Sequence, residues 1–172
     1  MNVLIIGGSG SGKSAYAEKV IHALCPGDKL YLATMICRDR ESEIRIQRHR
    51  EMRSALHFTT VECPTSRFTD PVYRGASALL EDLPNLLANE MFESGDPDRI
   101  LPDICHLAEI CHNLVIVTGN IFSDGITYDA STQSYINRLS QLNQALASLA
   151  DRAVEVVCGI PVPLRGTLPV SL

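Results

Sequence analysis

Gly7, Gly12, Lys13 and Ser14 stand at the spacing G-x-x-x-x-G-K-[ST], inside the run Gly7-Gly8-Ser9-Gly10-Ser11-Gly12-Lys13-Ser14. Glycines at these positions let backbone N–H groups converge on an anion without Cβ clashes. Lys13 brings a mobile positive charge to the β- and γ-phosphates, and the Ser14 hydroxyl suits Mg²⁺. The apolar run Val3-Leu4-Ile5-Ile6 fixes the start of the loop as a buried strand. A helix opening near Lys13 aims the positive end of its dipole at the same phosphates. Strand, loop and helix together predict a binding site for a nucleoside triphosphate.

A second group of chemistry-bearing residues lies in Glu41-Ser42-Glu43-Ile44-Arg45-Ile46-Gln47-Arg48-His49-Arg50-Glu51-Met52-Arg53. On a helix, Arg45, His49 and Arg53 fall at i, i+4 and i+8 and stack along one face. Guanidinium groups around an imidazole disfavour its cationic form, which keeps more of it a neutral nucleophile at pH 7. The same arginines suit bidentate contacts to a polyphosphate. A neutral imidazole against an α-phosphate can form a phosphoramidate. The pattern taken alone also reads as a solvated helix face with Glu41 and Arg45 as an i, i+4 pair.

The elements that must position these groups alternate between strand and helix. Strands are expected over 2–6, 29–34, 57–62, 76–80, 113–118 and 153–158, the last of them closed by Gly159-Ile160-Pro161. Helices are expected over 13–24, 40–53, 85–93, 104–112 and 132–151, with polar loops over 95–102 and 119–130. Tyr135, Leu139, Leu142, Leu146 and Leu149 keep helical spacing. Short apolar strands separated by helices imply a mostly parallel sheet, whose ligands sit at the carboxyl ends of the strands. Three features fall at such ends: the phosphate loop, Thr34, and Glu81-Asp82. One carboxylate of the last pair is placed to organise Mg²⁺, and the pattern leaves Glu81 and Asp82 in competition.

At 172 residues the chain is expected to form a single domain over 1–172. A net charge of −5 argues against nucleic acid as the main partner. No apolar stretch reaches the roughly 18–20 residues of a membrane span, and the N-terminus lacks a basic n-region, so a cytoplasmic location is expected. The six cysteines contain no C-x-x-C pair and read as small buried hydrophobes. Cys105 and His112 would be about 10 Å apart along a helix, too far to share one metal ion.

Taken in order, several segments resemble the bifunctional adenosylcobinamide kinase/adenosylcobinamide-phosphate guanylyltransferase family of cobalamin biosynthesis. They are the run from Gly7 to Glu18, Tyr31-Leu32-Ala33-Thr34, Arg45-Ile46-x-x-His49-Arg50-x-x-Arg53, Thr60-Val61-Glu62, Leu79-Leu80-Glu81 with Asn89, Asn143-Gln144 with Asp151, and Gly159-Ile160-Pro161. The phosphate loop is unspecific, whereas the arginine–histidine pattern at this distance from it is highly specific. The resemblance implies an α/β fold of the P-loop NTPase (RecA-like) kind, a mostly parallel sheet flanked by helices. It also implies phosphorylation of adenosylcobinamide with ATP or GTP, then transfer of GMP from GTP to the new phosphate through a guanylylated His49, with Mg²⁺. Lys13 and His49 are then the catalytic residues. Nucleotide contacts are implied for the phosphate loop, Thr34, Met35, Arg50, Glu51, Met52, Arg53, Glu62 and Glu81, with Ser14 and Glu81 toward the metal. Assembly as a ring-like homotrimer is implied too.

The chain departs from the family pattern after the fifth strand. Where many members read Thr-Asn-Glu-Val-Gly, it has Thr118-Gly119-Asn120-Ile121-Phe122-Ser123-Asp124-Gly125, with no glutamate. Pro84 replaces a usual threonine and Phe58 a common tryptophan. Two other readings compete: a P-loop small-molecule kinase without histidine chemistry, and a non-catalytic nucleotide-sensing module. An Asn-Lys-x-Asp guanine motif and an ABC-type signature are both missing from the sequence.

Overall fold

The structure is a computed structural model that describes residues 1–36, 57–93, 95–120 and 128–170. The expected helix over 40–53 therefore lies outside the described residues, as do Cys37 and most of the loop after the fifth strand. Seven strands are described: β1 (Asn2–Gly7), β2 (Lys29–Ala33), β3 (Phe58–Glu62), β4 (Ser77–Glu81), β5 (Asn113–Gly119), β6 (Arg152–Val157) and β7 (Ile160–Arg165). They form one sheet in the order β3-β2-β4-β5-β1-β6-β7. Every pairing is parallel except β6 with β7. The described helices are α1 (Lys13–Leu24), α2 (Leu83–Phe92), α3 (Ile100–Ile110) and α4 (Ala130–Leu149).

Alternate side chains of the strands feed two cores. Val3 and Ile5 of β1 pack with Tyr16, Val20 and Ile21 of α1 on one face. Leu4, beside them, joins Leu86 and Leu87 of α2, Ile104 and Leu107 of α3, and Leu142 and Leu146 of α4 on the other. Burial on both faces explains the near-continuous apolar runs, and β5 is buried at all seven positions. Lys29 is 2% exposed at the start of β2. Its ammonium donates to the Gly27 carbonyl at 2.8 Å and lies 5.1 Å from the centre of the Phe58 ring.

Three of the differences from expectation have a clear local reason. α2 begins at Leu83 because Asp82 caps it and Pro84 sits in its first turn, where a missing N–H costs nothing. α3 begins at Ile100, ahead of Pro102, by the same tolerance. The largest difference is β7 itself, a strand that was not expected: the sequence places its last strand over 153–158 and closes it with Gly159-Ile160-Pro161. Pro161 and Pro163 lie within this strand, and it is tolerated because β7 is a sheet edge. Cys158 and Gly159, with φ of 51° and 81°, form the tight turn into it. Cys158 is accordingly exposed, unlike the buried Cys63 and Cys111, which fit the expected packing role; Cys25 and Cys105 are half-buried. Cys111 donates from Sγ to the Tyr73 carbonyl. Among the described residues no helix is long and apolar enough to cross a membrane.

Candidate active site

The phosphate loop leaves β1 at Gly7, whose carbonyl accepts the Asn120 N–H at 3.2 Å from the end of β5. A Cβ on Gly7 would lie 2.5 Å from Ser11 Oγ and 2.8 Å from the Val156 carbonyl oxygen, so only glycine fits. Gly10 and Gly12 adopt φ of 69° and 89°, the left-handed region that favours glycine. The Ser11 N–H closes a turn onto the Gly8 carbonyl at 3.2 Å. Gly12 stands at the N-cap of α1 and offers no side-chain cap, so among the described residues the first-turn amides are left aimed into the loop. The Lys13 ammonium bends back to the Gly8 carbonyl at 3.2 Å. Ser11 Oγ is buried with no hydrogen-bond partner among the described residues.

Across the carboxyl edge of the sheet, Ala33 of β2 pairs with Glu62 on one side and Glu81 on the other. The Ser14 hydroxyl donates to the Glu81 carboxylate, joining the end of the phosphate loop to the end of β4. Asp82 has a different job: its carboxylate accepts the Asn85 N–H at 2.9 Å and caps α2. Of the two acids that the pattern left in competition, Glu81 faces Ser14. Burial pushes the Asp82 carboxyl up, opposed by its bond from Asn85 and the nearby Lys13 charge.

Thr34 ties these ends together. Its N–H donates to the Glu81 carbonyl at 3.1 Å, and its hydroxyl accepts the Asp82 N–H at 2.7 Å. Asn89 of α2 donates from Nδ2 to the carbonyls of Thr34 and Pro64 at 2.7 and 3.0 Å. Met35 follows, 38% exposed at the rim. The phosphate loop, Thr34, Met35, Glu62 and Glu81 thus share one edge. His49, Arg50, Glu51, Met52 and Arg53 lie outside the described residues.

Several contributors escaped the sequence reading. Asn120 donates from Nδ2 to the Glu155 carboxylate at 3.3 Å, bridging β5 and β6 behind the loop. Thr118 donates to Asn143 of α4 at 2.7 Å, and Asn143 donates onward to the Gly119 carbonyl at 3.1 Å. The Tyr135 hydroxyl donates to the Pro84 carbonyl at 3.0 Å, and burial, aided by Asp82, pushes it up to about 12. The residue types themselves offer one signal, a polar residue interrupting an apolar strand or helix face, and Asn143 also stands in one of the family-like segments. Register alone does not say which neighbours such residues meet.

The donor set suits a metal–triphosphate complex. A hydroxyl and a carboxylate meet where the phosphate loop enters α1, hard oxygen ligands of the kind Mg²⁺ takes. Beside them are a lysine and, among the described residues, an uncapped helix start and an unpartnered Ser11 hydroxyl.

Comparison with known proteins agrees with this geometry. Residues 3–164 match the family model described as cobinamide kinase/cobinamide phosphate guanyltransferase. The bifunctional adenosylcobalamin biosynthesis protein CobU of Salmonella typhimurium is 30% identical over 187 aligned residues, covering 96% of this chain and 100% of the relative. CobP of Pseudomonas aeruginosa, which carries the same description, is 29% identical over 173, covering 96% and 98%. In fold, the chain is similar to the flagellar accessory protein FlaH of Methanocaldococcus jannaschii, with TM-score 0.56 and 10% identity over 98% of this chain and 79% of that one. It is also similar to a type III secretion ATPase of pathogenic bacteria, with TM-score 0.51 and 16% identity over 94% and 56%. A mostly parallel sheet with a phosphate loop after its first strand is therefore a P-loop NTPase fold. Because the family match runs over nearly the whole of it, the chain belongs to the cobinamide kinase/cobinamide phosphate guanyltransferase family and is a transferase.

Proposed function

We propose that this chain phosphorylates the aminopropanol hydroxyl of adenosylcobinamide with ATP or GTP. It then transfers GMP from GTP to the resulting phosphate, giving adenosylcobinamide-GDP. The observation that carries the reading is the meeting of Ser14 with Glu81 beneath a complete phosphate loop, in a chain of this family.

In the first reaction the substrate hydroxyl oxygen attacks the γ-phosphorus. The new O–P bond forms as the β–γ bridging bond breaks, the nucleoside diphosphate leaves with the electron pair, and the hydroxyl proton passes to solvent. Gly8 to Ser14 bind the phosphates through backbone N–H groups, and Lys13 exchanges its Gly8 carbonyl for phosphate oxygen. Ser14 and Glu81 would hold Mg²⁺, which when bound neutralises charge developing on the phosphates. Thr34, bound to the backbone of both Glu81 and Asp82, keeps the carboxylate in position.

In the second reaction a ring nitrogen of His49 attacks the α-phosphorus of GTP, and pyrophosphate leaves. A phosphate oxygen of adenosylcobinamide phosphate then attacks the same phosphorus and breaks the P–N bond, freeing the imidazole. Arg50 to Arg53 and Met35 contribute nucleotide contacts in this reading. Glu62, at the end of β3, suits guanine, whose N1–H and N2 amino group are both donors that adenine does not offer together. The full chain over 1–172 acts as one domain and assembles as a homotrimer.

The test is product analysis with purified protein, adenosylcobinamide, GTP and Mg²⁺. Mass spectrometry is expected to show adenosylcobinamide phosphate first and adenosylcobinamide-GDP after it. Accumulation of the phosphate alone would leave only the kinase reading, and no product with retained GTP binding would favour the sensing module.

A further inference from the structure

We propose that Gly159, at the tip of the β6–β7 hairpin, is a positioning residue for the phosphate loop and acts through Ser11 and Gly12. Two contacts carry this. The Gly159 N–H donates to the Ser11 carbonyl at 2.8 Å. A Cβ on Gly12 would lie 3.3 Å from Gly159 Cα, so the loop and the hairpin turn approach backbone to backbone. The Val156 carbonyl, one turn-length back on β6, closes on Gly7 in the same way, 2.8 Å from where a Cβ would be. Both ends of the phosphate loop are thus seated against the β6–β7 hairpin. A loop whose amides must converge on phosphate gains when such a backing fixes its shape before the nucleotide arrives.

Gly159 holds its amide toward Ser11 with φ of 81°, a conformation L side chains rarely adopt, yet among the described residues nothing lies within 4 Å of where its own Cβ would go. Alanine therefore fits in space but strains the backbone, and relaxing that strain turns the amide away from Ser11. The nucleotide must then restore the loop as it binds. Asparagine tolerates left-handed backbone far better than alanine and keeps the N–H. Gly75 is a matched control: its φ is 72°, its Cβ position is equally open among the described residues, and its N–H bonds the Ile110 carbonyl, outside the phosphate loop.

The proposal rests on the phosphate loop binding GTP, so wild-type binding is measured first by calorimetry with GTP and Mg²⁺. No wild-type binding would overturn the functional reading itself. Given wild-type binding, Gly159→Ala is expected to raise the Kd for GTP roughly tenfold and to raise KM for GTP while kcat stays within about twofold. Gly159→Asn should restore most of the affinity, and Gly75→Ala should bind GTP like wild type even where its Tm falls as far as that of Gly159→Ala. Wild-type GTP affinity in a Gly159→Ala variant whose Tm has dropped would overturn the proposal, because it would reduce Gly159 to an ordinary turn glycine. A loss confined to kcat would overturn it too.

Discussion

At the residue scale, Lys13 reaches a carbonyl of its own loop rather than any core group. Its removal is therefore a test of chemistry and not of folding. Lys13→Ala is expected to lower both transfer rates by roughly 100-fold or more while circular dichroism and Tm remain near wild type. Near-wild-type rates would remove the phosphate loop from the reaction. The loop was legible in sequence because its chemistry demands particular residue types at fixed spacing. Glu81 against Asp82 was not, since two adjacent carboxylates are equivalent to a pattern and differ only in what they face. The structure separates them through Ser14 for one and the α2 amide of Asn85 for the other. Glu155 illustrates the other limit: nothing local in β6 announces that its carboxylate meets Asn120 across β1.

At the scale of elements, short apolar runs and helical spacing were enough to anticipate the parallel strands and α1, most clearly where burial on both faces leaves a strong signal, as in β5. The β6–β7 hairpin was lost for the opposite reason. Its strand is an exposed edge that carries two prolines, which ordinarily end a strand. Caps set the helix starts, and α4 shows the clearest one. Asp129 accepts from the amides and hydroxyls of both Ser131 and Thr132. These donors hold its carboxyl well below its ordinary value of 3.8. The folded state thus favours the ionised form, so the cap's contribution is complete above that ordinary value and is lost as pH falls through the folded one. In urea unfolding, wild type is expected to exceed Asp129→Ala in stability at pH 7, with the gap narrowing as the pH is lowered below about 4. A gap independent of pH would show that the carboxylate charge does not matter to the cap.

At the scale of the whole molecule, self-association is the expectation, and exclusion of water from an exposed phosphate-binding edge is one thing assembly would supply. Multi-angle light scattering at micromolar concentration is expected to give three times the chain mass of 18.8 kDa, and a uniform 18.8 kDa species would refute the trimer. The claim that separates this chain from a plain kinase is the covalent step at His49, and incubation of the whole protein with α-labelled GTP and Mg²⁺ tests it most directly. A phosphoramidate is labile in acid and stable in alkali, opposite to an acyl phosphate's sensitivity to base. The account predicts a label with that stability, retained through denaturation, abolished in His49→Ala, with part of the adenosylcobinamide phosphorylation surviving in the same variant. A label that persists in His49→Ala, or none in wild type that still turns over GTP, would contradict it.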